Sequence, residues 1–364
     1  LESVDDVGEM IKLIKSKKKK VGIAINPESS IKEIIPYLKK ISMILVMTTN
    51  PGKYGNKFMP QTLANVRRLR KINPKREWIE DLDKLPFPAW DLFPRANYYN
   101  IMTARGCPFN CIFCMSPYGR RVRERSVENV IKEAEWVIKT FNPRIYKFND
   151  ETFGFNAERA NKILDLIIEN GLDKTKKMAS MRADRVSLGI LKKMKRAGFD
   201  YIDLGVESGN PDILKRTKKG ITMEQAENAV KMIKSVGIRV GVNVILGHPY
   251  ETKKTAKQTI DFAVKLNGDI TAIGIMVPSP GTEIAEIAKR GEGGYKLLSN
   301  DWSDYNKQIG NALELENISR KELEKLQAWG YIKIYLYNLR FLDLAKFFWD
   351  YRKAGILFIK KQFS

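Results

Sequence analysis

From residue 98 the chain alternates between two kinds of run. "YYNIMTA", "RIYKFND", "KKMASMR", "YIDLGVES", "IRVGVNVILG" and "DITAIGIMVPSPGT" are apolar or alternating stretches of strand length. Amphipathic helical stretches separate them. Ser126 can cap one helix, Gly171 and Gly198 can end two others, and Thr222 with Gln225 forms a capping box. Strand and helix repeated six times imply a parallel sheet, because each helix must carry the chain back to the same end of the sheet. The pattern predicts an α/β fold of six βα units over residues 98–290, curled into a full or partial barrel. The loops that follow its strands then gather at one mouth, where active sites collect.

The flanks are organised differently. Residues 1–72 read as a short helix followed by two further βα units: strands "VGIAINPES" and "SMILVMTTNPG", both expected to be buried, and helices "SIKEIIPYLKKI" and "MPQTLANVRRLRKI". Residues 73–97 form a proline-rich linker or strap. Residues 291–364 begin loop-like. Ser319 and Glu322 then form a capping box that opens one long helix rich in rings, from Trp329 to Tyr351. This C-terminal helical extension suits three roles: a cap on the barrel, a peripheral membrane-surface helix with basic flanks, or a subunit contact.

All three cysteines lie in "ARGCPFNCIFC", as Cys107, Cys111 and Cys114, just after the first strand of the six. A structural zinc site needs four closed ligands, and the only histidine, His248, lies far along the chain. A redox dithiol of Cys111 and Cys114 leaves Cys107 without a role. An iron–sulfur cluster held by three thiolates, with one iron left open, uses all three.

"CPFNCIFC", with an aromatic residue before the last cysteine, resembles the radical S-adenosylmethionine (SAM) enzymes. The resemblance covers residues 75–290 and is nearest to the cobalamin-type branch, which shares "IEDLDKLPFPAWDLFP". It implies a partial (βα)6 TIM-like barrel, here preceded by two extra βα units and followed by the helical segment. It implies two cofactors, a [4Fe-4S] cluster on Cys107, Cys111 and Cys114, and SAM chelating the open iron. Reductive cleavage of SAM then yields a 5′-deoxyadenosyl radical that abstracts hydrogen from substrate. By the same resemblance Phe113 lies against the adenine, and Asp150, Glu151 or Thr152 receives the SAM amino group. Arg182 pairs with the SAM carboxylate, and Glu207, assisted by Ser208, contacts SAM. Asn243, Gly247, Pro280 and Gly281 fall in the adenine-side and barrel-closing turns. His248 reads as a loop residue.

The departures from the family limit the reading. The cobalamin-binding domain expected before the strap is not found in residues 1–72. Instead residues 16–72 resemble a fragment of ribulose-phosphate 3-epimerase, in "INP" and "ILVMTTNPG". Epimerase catalysis needs acidic pairs and metal-holding histidines, and no aspartate or histidine occurs from Ser16 to Ile72. Epimerase catalysis by this segment is therefore not expected, and without the usual cobalamin domain cobalamin-dependent methyl transfer is disfavoured. Methylthio transfer is disfavoured too, for want of further cysteines. The expected function is hydrogen abstraction from a small or lipid-like substrate, with flavodoxin or ferredoxin as reductant. The net charge of +22 admits an RNA-modifying alternative, although "GRRVRERS" leads directly into a capped helix. A catalytically inactive cluster-binding scaffold is the third reading. Clustered, unpaired cysteines and the absence of a recognisable leader point to a reducing, cytoplasmic setting.

Overall fold

The computed structural model describes residues 1–50, 58–72, 77–308 and 310–350. It divides into two compact units, Leu1–Ile79 and Glu80–Ser364. In the first, α1 (Val7–Ser16) is capped by Asp6, whose carboxylate accepts from Glu9 N–H. β1 (Gly22–Ile25) and β2 (Met43–Val46) pair in parallel, and α2 (Thr62–Ile72) follows. Ile11, Val21, Ile23, Ile25, Ile34 and Leu69 form its core. Two expectations fail here. "SIKEIIPYLKKI" folds as two 3-10 segments, Ile31–Glu33 and Ile35–Lys40. Pro36 offers no N–H and disfavours α geometry at Ile35, which stops an α-helix from propagating. β2 is not buried either: Met43 and Leu45 are exposed, since a two-stranded sheet has few neighbours to cover its second face.

The second unit opens with segment 80–97, which contains two short 3-10 turns, Leu82–Lys84 and Trp90–Leu92. Then come β3 (Tyr98–Ile101), and β4 (Ala104–Arg105) with β5 (Arg123–Glu124) as its antiparallel partner. The cysteines lie between β4 and β5. The remaining units are α3 (Val127–Phe141), β6 (Ile145–Phe148), α4 (Ala157–Glu169), β7 (Lys176–Met181), α5 (Leu188–Arg196), β8 (Phe199–Glu207), α6 (Pro211–Arg216), α7 (Met223–Ser235), β9 (Arg239–Leu246), α8 (Lys253–Leu266) and β10 (Ile270–Ile275). The sheet order is β10-β9-β8-β7-β6-β3, parallel throughout. Each strand therefore sits beside its predecessor in the alternation, and all six strand ends face one rim. The architecture is the open, six-stranded barrel that the alternation predicts. Ser126 caps α3 and the Thr222–Gln225 box opens α7, as read from the sequence.

Rings pack the region beneath the rim. Phe148 stacks on Phe153 at 5.2 Å and meets Tyr146 and Phe199 at 5.5 and 5.9 Å between centroids. Lys177 is wholly buried beside them. Its ammonium donates to Leu172 and Thr175 carbonyls and lies 5.2 Å from the Tyr146 ring centre. Burial lowers its pKa to about 7.

After β10 come α9 (Glu283–Lys289) and a small hairpin of β11 (Tyr295–Leu297) with β12 (Leu313–Leu315). The long aromatic helix is two helices, α10 (Arg320–Tyr337) and α11 (Phe341–Asp350). Leu339 adopts φ 55°, and Asn338 turns its amide onto the Ile334 and Val264 carbonyls, so the helical ladder stops. α10 covers the free edge of the sheet. Gln327 Nε2 donates to Ile273 O at 2.6 Å, and Tyr331 Oη accepts from Ile273 N–H at 3.0 Å. An exposed parallel edge otherwise invites further strand pairing. Phe341, Leu342, Phe348 and Trp349 of α11 are exposed. Among the described residues no helix is long and apolar enough to cross a membrane.

Because Phe148 is fully buried and anchors the strand that leads to Asp150, F148A should lower unfolding stability by about 3–5 kcal/mol. Denaturant unfolding of both proteins checks this.

Candidate functional site

The loop bearing the three thiols is shaped by backbone geometry. Gly106 has φ 99°, and a Cβ there would lie 2.1 Å from Arg121 O, so glycine is required. Cys107 N–H donates to Gly119 O, and Cys114 N–H to Cys111 O. Arg120 clamps the loop by donating to the Phe109 and Cys114 carbonyls. Two further bonds tie it to other rim loops: Ile112 N–H to Thr217 O, and Ile284 N–H to Ile112 O. Cys107 and Cys111 are buried and Cys114 is half-buried, all as free thiols.

Two buried cations face this loop. The Arg182 guanidinium lies 3.5 Å over the Phe109 ring and 4.0 Å from Cys111 Sγ. It also donates to Lys219 O at 2.8 Å and pairs with Asp184 at 2.9 Å. Lys219 Nζ pairs with Glu207 at 2.8 Å. Burial pushes the Cys111 thiol up, while Lys219 and Arg182 pull it down. Glu207 sits at φ 69°, where the β8–β9 register shifts. That bulge turns its carboxylate toward Lys219, and Gly205 keeps the space open, since a Cβ there would meet Glu207 Oε1 at 2.4 Å.

The other residues singled out from sequence divide into two groups. Phe113 sits on the rim, edge-on to His248 at 5.9 Å. Glu151 also sits there with both carboxylate oxygens buried; burial raises its pKa, while the nearby Gly106 and Tyr118 N–H groups pull it down. Asp150 is buried and already engaged: it accepts from Thr103 N–H at 2.6 Å, Thr103 Oγ1 at 2.5 Å and Ala104 N–H at 3.1 Å. Ser208 points away to Thr259 Oγ1, 3.0 Å distant, and accepts from Asn210 N–H. Asn243 lies lower in the barrel, with its amide 3.5 Å from Asp203.

Several residues at the site carried no sequence signal. Lys219 is one of many lysines. Asp203 forms a polar floor with Tyr201 (Oη donating at 2.7 Å), Asn243 and Lys147 (3.9 Å). His248, read as a loop residue, is fully buried behind Phe113, with Nε2 3.4 Å from Glu207 O and Nδ1 unpartnered. Glu251 holds that turn by accepting from the Gly247 and His248 N–H groups.

Among the described residues no three His, Cys, Asp or Glu side chains converge on one point as a single-ion site. A cube of iron and sulfide instead takes one thiolate at each of three separate irons. The donor set suits such a group: three thiols on a rigid loop, with Arg182 and Lys219 placed to offset thiolate charge.

A six-stranded open barrel with a three-thiol loop at its rim suits a protein that holds a thiolate-bound cluster there. Residues 101–263 match the radical SAM superfamily. The chain is 36% identical over 272 residues to the uncharacterized methyltransferase PH0819 of Pyrococcus horikoshii, an alignment covering 72% of this chain and 58% of that protein. Its fold is similar to the apo form of the cobalamin-dependent SAM radical enzyme OxsB, with TM-score 0.56 and 19% identity over 90% of this chain and 60% of that one. It is also similar to the radical SAM methyltransferase TsrM from Kitasatospora setae, with TM-score 0.52 and 20% identity over 65% and 46%. Residues 101–263 form a radical SAM domain, of a superfamily whose cofactors are a [4Fe-4S] cluster and SAM. The chain spans less than two thirds of the length of these relatives. Residues 1–83 match the ribulose-phosphate 3-epimerase family in part.

The turn at Glu251 yields a pH prediction. Burial raises the Glu251 pKa from 4.5 to about 8. The folded state therefore binds this proton more tightly than the unfolded state. The resulting stabilisation is full below pH 4.5 and is lost as pH rises to about 8. Burial lowers His248 from 6.5 to about 4, so its contribution has the opposite sign and fades as pH falls through that window. Comparing wild type with E251Q isolates the carboxyl. Wild type should lose urea resistance relative to E251Q between pH 4.5 and about 8. A constant difference across that range would show an ordinary, ionised carboxylate.

Proposed function

We propose that this chain binds a [4Fe-4S] cluster through Cys107, Cys111 and Cys114 and uses SAM for radical chemistry on a small molecule held in the barrel. When bound, these cofactors supply an electron and a cleavable sulfonium, the source of a 5′-deoxyadenosyl radical. The chain's own residues orient and enclose them. The observation that carries this reading is the rigid, largely buried thiol loop with Arg182 and Lys219 beside Cys111.

Around the thiols, Glu151 offers a buried acceptor for the SAM ammonium, and Phe113 a ring for its adenine. Glu207, turned onto Lys219, gives a charge pair that can open toward a zwitterion. Asp150 and Ser208 act as supports, since their polar atoms hold the rim loops in place. The Lys147–Asp203–Tyr201–Asn243 floor favours a substrate with hydrogen-bonding groups at its inner end. A low-potential flavodoxin or ferredoxin would serve as reductant.

The relatives favour one refinement, methyl transfer. PH0819 is named a methyltransferase, and both solved structures are of cobalamin-dependent or methyl-transferring radical SAM enzymes. This reading reverses the sequence-based preference against methylation.

Anaerobic reconstitution tests the central reading. The expected result is about four irons per chain and dithionite-dependent 5′-deoxyadenosine, with iron lost in C111A. A colourless protein holding a single zinc would sink it.

A further inference from the structure

The last two helices present an apolar surface that the core does not use. Asn338 and Leu339 break the chain between α10 and α11, and Arg340 fixes the start of α11. Its guanidinium donates to the Gly268 and Asp269 carbonyls at 2.6 and 2.7 Å and pairs with Asp343 at 2.7 Å. Asn338 holds the same corner by donating to Val264 O at 3.1 Å. Gly268 and Asp269 directly precede β10, so α11 begins at the end of the barrel where the strands start. The thiol rim lies at the opposite end.

Residue types along α11 divide into two arcs. Phe341, Leu342, Ala345, Phe348 and Trp349 recur at i, i+1, i+4, i+7 and i+8 and fall on one side; Asp343, Lys346 and Asp350 fall on the other. Such an apolar arc normally faces the core. Here all five of its residues are exposed, as are Tyr337 and Leu339 just before them. Folded chains seldom leave a contiguous apolar surface open unless it is a contact face.

Length and charge indicate what it contacts. α11 has 10 residues, a span of about 15 Å, too short to cross a bilayer but able to lie flat in its interface. The barrel end at which it begins is basic. The last turns of α5 and α7, which run back to that end, carry Lys195, Arg196 and Lys234. Lys195 and Lys234 donate to the Gly237 and Asn267 carbonyls rather than to acids, so their charge is not neutralised there. Beyond α11 the sequence adds Arg352, Lys353, Lys360 and Lys361 and no acidic residue. A second copy of the chain would bring the same net charge of +22 and be repelled, whereas an anionic lipid surface is attracted.

We propose that α11 seats this protein on an anionic membrane surface. Phe341, Leu342 and Trp349 enter the boundary between headgroups and acyl chains, and the basic end of the barrel meets the headgroups. The thiol rim, at the far end, stays open to water. The proposal does not depend on the cluster.

The full chain is sedimented with vesicles of phosphatidylcholine alone and with vesicles containing about 30% phosphatidylglycerol. Binding to the anionic vesicles should be about tenfold or more tighter than to the neutral ones, and should weaken by a similar factor between about 0.1 and 0.5 M salt. L342E leaves the packed core untouched, since Leu342 is 88% exposed, and should weaken binding to the anionic vesicles about tenfold or more. F341E is the second variant, circular dichroism melts verify that both fold, and light scattering reports the oligomeric state of all three proteins. Four results would each overturn the proposal: no sedimentation with anionic vesicles, equal binding to both vesicle types, variants that bind like wild type, or a wild-type oligomer that L342E dissociates. The last would assign the face to a second copy of the chain.

Discussion

One constraint underlies the whole site: six parallel strands in sequential order must all end at the same rim. Ile101 pairs with Phe148, Phe148 with Ala179, Ala179 with Ile202 and Ile202 with Val240. Hydrogen bonding along this ladder leaves no freedom in where the connecting loops emerge. The thiol loop after β3, Glu151 after β6, Arg182 after β7, Glu207 at the end of β8 and His248 after β9 are therefore neighbours by topology. The edges of the sheet need separate treatment. α10 satisfies the backbone of β10 through Gln327 and Tyr331, and the proline-rich segment lies along β3 through Trp90 on Tyr99.

Charge balance is the second organising theme. Thiolates on a buried loop are unfavourable unless cations lie close. Arg182 and Lys219 meet that need, and each is itself restrained: Arg182 by Asp184, the Lys219 carbonyl and the Phe109 face, Lys219 by Glu207. Deeper layers are built to hold the rim still. Asp150 gathers three hydrogen bonds from Thr103 and Ala104, and Glu251 gathers the amides of the turn that carries His248. A buried acid with a raised pKa is tolerable there because it can remain protonated while still accepting from backbone N–H groups.

Much of this was legible before any coordinates. Period-two and period-3.6 runs gave six βα units with their caps, because those patterns are local and repeat. The exceptions were local conflicts as well. Pro36 turned an amphipathic helix into 3-10 segments, and Asn338 with Leu339 broke the aromatic helix in two. The roles read for Asp150 and Ser208 were harder to judge from sequence. A carboxylate and a hydroxyl at a strand end look the same whether they face a ligand or support a loop.

By itself the sequence determined the element order, the parallel sheet and the three-thiol loop, since each follows from residue types at short, regular spacing. Tertiary structure decided what surrounds the thiols and what lies under the proline-rich segment. Cys111 and Arg182 meet across 71 residues, and Arg121 and Glu80 across 41. Contacts at such separations depend on how β-strands register and loops close, which no local pattern encodes. For that reason Lys219 and the His248–Glu251 turn emerge only from the folded chain.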